Sequence, residues 1–153
     1  HLDKDGSANM VDISEKSITS RSASASCTVF LSSKAFDLVK ENQIEKGNVL
    51  NIAKIAAISA SKKTYDLIPL CHQIPLSKVD VDFSLNEKNK TIQIQSRAFT
   101  DWKTGVEMEA LTAVSIASLT IYDMCKSVDK SIKITDIQLD KKTGGKSGIY
   151  IRK

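Results

Sequence analysis

Aromatic side chains are scarce in this chain, at 5% of 153 residues. A sheet that stacks nucleobases needs paired aromatics on neighbouring strands, and no strand pattern here carries them. Histidine is scarcer still: His1 and His72 are the only two. A zinc site around Cys71 and His72 therefore lacks its third and fourth ligands. The only prolines, Pro69 and Pro75, bound one non-helical connection that holds Leu70, Cys71 and His72. The three cysteines are odd in number and widely spaced, which points to a reducing, intracellular compartment rather than a disulfide framework. No apolar run approaches the ~20 residues of a membrane helix, so no membrane partner is expected. There is no internal repeat and no low-complexity tract. A net charge of +4 is mild, suiting an anionic small molecule better than nucleic acid. The chain opens at His1 rather than methionine, so the expectation is a processed form or an excised part of a longer polypeptide.

The length fits one domain with one core. Residues 1–9 are polar and read as loose. From Arg21 to Leu31, Ala23, Ala25, Cys27, Val29 and Leu31 alternate with Ser and Thr, the period of a strand. Ser32 or Ser33 caps a short helix, and Asn48 caps a second one from Val49 to about Lys63. A hairpin follows, with Val79, Val81, Phe83 and Leu85 on one arm, a turn over 86–90, and Ile92, Ile94, Ser96 and Ala98 on the return. A long helix is predicted from about Gly105 to Ser127, then a strand from Ile132 to Leu139 with a slip near Asp136. A basic, glycine-rich tail spans 140–153. The order β-α-α-β-β-α-β, less one helix, is the split βαβ pattern: an α+β fold with an antiparallel sheet covered by helices on one face.

Charge is distributed oddly on the long helix. No Lys, Arg, Asp or Glu occurs from Ala110 to Tyr122, while Glu107 and Glu109 precede this run and Asp123 and Lys126 follow it. An uncharged run this long is expected to be buried, and between subunits. Glu109 and Asp123 lie fourteen residues apart, which at about 100° and about 1.5 Å per residue places them on one face but roughly 21 Å apart. A single small substrate reaches both only if two subunits share the site. The competing reading is a pair of solvated helix ends. Asp123 argues against it, because a carboxylate near the negative end of a helix is unfavourably placed. Lys126 at i+3 offsets that charge, and such a pair can pass protons.

Other features allow two readings each. Cys71 and His72 are adjacent in an extended loop, so their side chains diverge and make a poor nucleophile–base pair. His72 is either a pocket hydrogen-bond donor or an ordinary loop histidine. Gly144-Gly145-Lys146-Ser147 resembles the end of a phosphate loop, but Asp140 stands where the first glycine is required and no helix can follow. Lys142 and Lys146 either close over phosphates or belong to a solvated terminus. Lys46, the Lys62-Lys63 pair and Arg21 are further candidates for an anion, Arg21 as a bidentate clamp.

Taken together, MVDIS at 10–14, KGNV at 46–49, DLIPLCH at 66–72, KTGVEMEALTA at 103–113, LTIYDMCK at 119–126 and KTGGKSG at 142–148 resemble the cyclic pyranopterin monophosphate synthase family, protein C of molybdenum cofactor biosynthesis. The resemblance spans 10–148. It implies a ferredoxin-like subunit in a homohexamer, a trimer of dimers, with active sites at subunit interfaces. The implied substrate is 3′,8-cyclo-7,8-dihydroguanosine 5′-triphosphate, rearranged with loss of pyrophosphate. A functional link to the radical enzyme that makes this substrate is implied too. Asp123 and Lys126 are the implied acid–base pair. Leu70, Cys71, His72, Met108 and Glu109 line the substrate pocket, supported by Glu107 and Thr104. Lys46, Lys62, Arg21 and Lys142 meet the phosphates or the base, and Lys146 is a further candidate. The reaction moves protons without redox change, so no metal or cofactor is expected. The implied location is the cytoplasm, or the mitochondrial matrix in a eukaryote. Gln73, Trp102 and Ile149 depart from the family pattern, and Ile149 bears on how the tail closes. The rivals are a non-catalytic RNA-binding sheet and an assembly subunit without activity.

Overall fold

Alternation in the first strand sets the layers. In the computed structural model, which describes residues 6–153, β1 (Thr19–Phe30) sends Ala23, Ala25, Cys27 and Val29 into the core, each at most 2% exposed. Ser22, Ser24 and Thr28 take the opposite face. His1 and the first part of the segment expected to be loose lie outside the described residues; residues 6–9 are exposed. Ser32 caps α1 (Ser33–Lys40) by accepting from the Ala35 amide at 3.3 Å, and Asn48 caps α2 (Val49–Ser61) by accepting from Asn51 at 2.9 Å.

The second helix stops at Ser61, short of the predicted Lys63. The Ser61 hydroxyl donates to the Ile58 carbonyl and the Thr64 hydroxyl donates to the Ser61 carbonyl. Such bonds compete with the helical ladder. A single further turn, α3 (Thr64–Leu67), leads into Pro69. Then come β2 (Lys78–Asn86), β3 (Thr91–Trp102), α4 (Glu107–Cys125), β4 (Lys133–Thr143) and β5 (Tyr150–Ile151).

The strands form one sheet in the order β2-β3-β1-β4-β5, each neighbouring pair antiparallel. With α1 set aside, this is the ferredoxin-like arrangement, in which β1 and β3 are central and α2 and α4 cover the sheet. Small residues allow α4 to approach closely. Ala23 pairs with Ala98 and Ala25 with Ser96, and the buried Ser96 hydroxyl donates to the Ala110 carbonyl at 2.7 Å. Ala53 and Ala57 of α2, like Ala113 and Ala117 of α4, have no exposure.

Most of the uncharged run of α4 is buried within its own protomer, under α2 and against the sheet, so its lack of charge needs no second subunit; Leu119, at 55%, stays exposed. The stretch 140–153, read as a basic tail, is paired over part of its length. Lys141 and Lys142 pair with Ile151 and Tyr150, and Arg152 donates from its backbone to Asp140 and from Nε to Leu139. Gly144 and Gly145, with φ of 86° and 72°, turn the chain between β4 and β5. The slip near Asp136 is a β-bulge: Asp136 has φ 55°, and the register with β1 shifts between Ser26 and Thr28. No helix among the described residues is long and apolar enough to cross a membrane.

Candidate active site

The N-terminal end of α4 forms the floor of a cavity of about 270 Å³. Thr104, Glu107, Met108 and Glu109 line it from below, and Leu70, Cys71 and His72 close it from the loop between the two prolines. At Gly105 a Cβ would meet the Glu107 carboxylate, which folds back over the helix start and would have to swing aside. Glu109 is only 3% exposed, and its Oε2 has no hydrogen-bond partner. Burial pushes this carboxyl up to about 7, with the neighbouring Glu107 charge adding to the effect. Burial likewise raises the Cys71 thiol, with Glu109 contributing, so the sulfur stays protonated. Nε2 of His72 lies 2.8 Å from the Val11 carbonyl. A carbonyl only accepts, so this ring nitrogen carries the proton.

A larger cleft of about 590 Å³ adjoins this cavity, sharing Lys16 and Thr104 with it. Arg21, Lys103 and Lys146 give it positive charge, and Gly145 and Ser147 complete one wall. Arg21 is held from behind: Nε donates to the Trp102 carbonyl at 2.9 Å and Nη2 to the Lys103 carbonyl at 3.3 Å. Gly145 packs against the same guanidinium so closely that a Cβ would overlap Nη1. Lys142 lies outside the cleft and donates to the hydroxyl of Ser147, which lines it.

Asp123 and Lys126 sit at the opposite end of α4. Lys126 Nζ is 2.7 Å from one carboxylate oxygen of Asp123, and Lys46 Nζ is 3.2 Å from the other and donates to the Asp123 carbonyl at 2.8 Å. Their side chains are about half exposed. The Lys126 hydrogen bond, with help from Lys46, holds the Asp123 carboxyl below its ordinary value, and Asp123 in turn raises Lys126. Both members of the pair are therefore charged at neutral pH in the lone protomer.

Seven of the residues expected at the site thus share one cavity, Arg21 borders the next, and Asp123, Lys126 and Lys46 form a separate cluster. Lys62, the exposed C-cap of α2, lines neither cavity. Sequence reasoning missed Val11, Ile13, Lys16 and Lys103, all of which line cavity walls. The two basic residues among them were visible in the sequence, Lys103 at the head of KTGVEM and Lys16 just after MVDIS. Among the described residues, no group of three or more His, Cys, Asp or Glu could hold a metal ion.

Comparison with known proteins bears on this arrangement. A protein named cyclic pyranopterin monophosphate synthase from Heliobacterium modesticaldum is 55% identical over 99% of this chain and 96% of its own. Its namesake from Natranaerobius thermophilus is 51% identical over 97% of this chain and 93% of its own. The Arabidopsis thaliana protein named cyclic pyranopterin monophosphate synthase, mitochondrial, is 53% identical over 99% of this chain, which spans 56% of that protein. Among solved structures, a de novo designed protein with a ferredoxin fold aligns over 74% of this chain and 80% of its own, at 12% identity and a TM-score of 0.40, too loose a likeness to bear on function. The MoaC family model matches residues 10–145, which take in every cavity-lining segment except the end of the tail. By that match and by these identities, the chain belongs to the MoaC family.

Proposed function

We propose that this chain is a cyclic pyranopterin monophosphate synthase of molybdenum cofactor biosynthesis. The observation that carries the reading is identity of about half the residues, over nearly the whole chain, to proteins of that name. The enzyme is a phosphorus–oxygen lyase. It converts 3′,8-cyclo-7,8-dihydroguanosine 5′-triphosphate to the pyranopterin, closing a cyclic phosphate and releasing pyrophosphate. Residues 10–153 act as one synthase domain. The basic cleft beside Arg21 suits a triphosphate, because cations stabilise the charge that grows on departing pyrophosphate. The half-apolar pocket of Leu70, Cys71, His72, Met108 and Glu109 suits the ring system, with Thr104 and Glu107 supporting it.

Asp123 and Lys126 are the acid–base pair, and Lys46, Lys62 and Lys142 complete the contacts to phosphates and base. The pair is remote from the pocket of its own protomer, so a second protomer in a homohexamer brings its own Asp123 and Lys126 to that pocket. Docking also supplies what the lone pair lacks. Removing water from Lys126 disfavours its charged form and lets it release a proton. The enzyme works downstream of the radical enzyme that forms its substrate, in the cytoplasm or, in a eukaryote, the mitochondrial matrix. Incubation with the cyclised triphosphate tests the reading through pyrophosphate release and the pterin chromophore. Asp123→Asn and Lys126→Ala should each abolish product while sedimentation stays unchanged, since both side chains are half-exposed and their pair contributes little to stability. Full turnover in either variant removes the acid–base assignment, and no product from the parent chain removes the synthase reading.

A further inference from the structure

Residues 11–16 border the pocket through Val11, Ile13 and Lys16 and are tied down at two points. The Val11 carbonyl accepts from His72 at 2.8 Å, and the Ser14 carbonyl accepts from Nζ of Lys103 at 2.6 Å. The segment is also internally tight, for the Ser14 amide donates to Asp12 at 2.8 Å and the Lys16 amide to the Ile13 carbonyl at 3.1 Å. Only Val11 and Ile13 are half-buried, and both line the pocket; the rest of the segment is exposed. So little apolar burial holds a segment weakly, and its place depends on the two side chains that grip its backbone. Lys16, at the end of the segment, lines both the pocket and the basic cleft.

We propose that Lys103 is a positioning residue for the substrate site, latching residues 11–16 so that Lys16 stands where the pocket meets the basic cleft. The backbone of Lys103 serves the same junction, since its carbonyl accepts from Arg21. A segment fixed before the ligand arrives spares the ordering cost of binding, and a fixed ammonium meets a polyanion at full strength. The latch therefore governs how tightly an anionic substrate is held. It leaves the Asp123–Lys126 end of α4 alone. The kinetic consequence rests on the synthase reading above, whereas the latch itself can be tested without it.

The chain contains one tryptophan, Trp102, which lines a cavity of about 510 Å³ together with residues 10–14, His72 and Lys103. Its emission is a built-in reporter of the segment. In the full chain without ligand, Lys103→Met should make Trp102 measurably easier to quench with acrylamide, and Lys103→Arg should restore most of the protection. With the cyclised triphosphate, Lys103→Met should raise KM by about tenfold or somewhat more, the low end of one lost charge-assisted hydrogen bond, with kcat within about twofold. In a Lys16→Met background the same change should raise KM clearly less than in the parent, leaving only the loss of the Lys103 charge from the cleft, because the latch then has no lysine to place. Unfolding midpoints of the variants confirm that the folded protein is compared. Unchanged quenching in Lys103→Met overturns the latch. Unchanged KM, a loss confined to kcat, or full additivity with Lys16→Met overturns the positioning role. An inactive parent chain with altered quenching in Lys103→Met would sink the synthase reading and leave the latch standing.

Discussion

Replacing Glu109 with glutamine should change how the stability of this protein depends on pH. The carboxyl is 3% exposed, one of its oxygens has no partner, and burial raises it from an ordinary 4.5 to about 7. At 1.36 kcal/mol per pH unit, that gap corresponds to about 3 kcal/mol. Below pH 4.5 folded and unfolded chains both carry the proton, and Glu109 contributes no pH dependence. Between 4.5 and about 7 the folded chain keeps a proton that the unfolded chain has released, so stability falls as pH rises. Above about 7 the buried group is charged and the full loss is present. Glutamine does not titrate, so Glu109→Gln should lie within about 1 kcal/mol of the parent at pH 4.5 and gain up to about 3 kcal/mol at pH 8, less the cost of any unmet amide hydrogen bond. Urea unfolding at the two pH values, compared through midpoints at constant slope, measures the difference. Equal differences at both, or a variant less stable than its parent at pH 8, would refute the reasoning. A more stable but inactive variant is the pattern expected where an active site is held at a cost to the fold.

Two further substitutions test the scaffold around the site. Asp129, 7% exposed, accepts from the Ser32 amide at 2.7 Å, the Ser131 amide at 2.9 Å and the Ser131 hydroxyl at 2.6 Å, tying the turn after α4 to the start of α1. Asp129→Ala leaves two amides unpaired and should cost about 3 kcal/mol, lowering the thermal midpoint by roughly 6–12 °C, with Asp129→Asn recovering part of it. Gly144→Ala would place a Cβ against the Ser20 carbonyl at a φ of 86°, and should cost at least about 1 kcal/mol in urea unfolding from backbone strain alone.

Local signals made much of the fold legible. The alternation of Ala23, Ala25, Cys27 and Val29 fixed the inner face of β1, Asn48 caps its helix as read, Ser32 is the one of the two candidate serines that caps α1, and the broken alternation at Asp136 marks a bulge. What was missed depends on distant partners or on hydroxyl bonds that no periodicity reveals. The pairing within 140–153 joins Lys142 to Tyr150 around a glycine turn, and α2 ends early through Ser61 and Thr64. The residues lining the cavity at the start of α4 lie in two motifs, 70–72 and 104–109, and their grouping was legible only through the resemblance those motifs carry. Lys103 was passed over because its meaning lies in a bond to Ser14, 89 positions away. The uncharged run on α4 pointed to burial, but could not distinguish a partner subunit from the protomer's own α2.

The central claim is that one protomer's pocket works with another protomer's Asp123 and Lys126. Mixing Glu109→Ala and Asp123→Asn subunits, each inactive alone, tests it most directly. With random exchange at equal amounts, half the sites draw an intact Glu109 and half of those an intact Asp123, so activity should return to about a quarter of the parent's. No recovery after exchange verified by mass spectrometry would contradict the shared site.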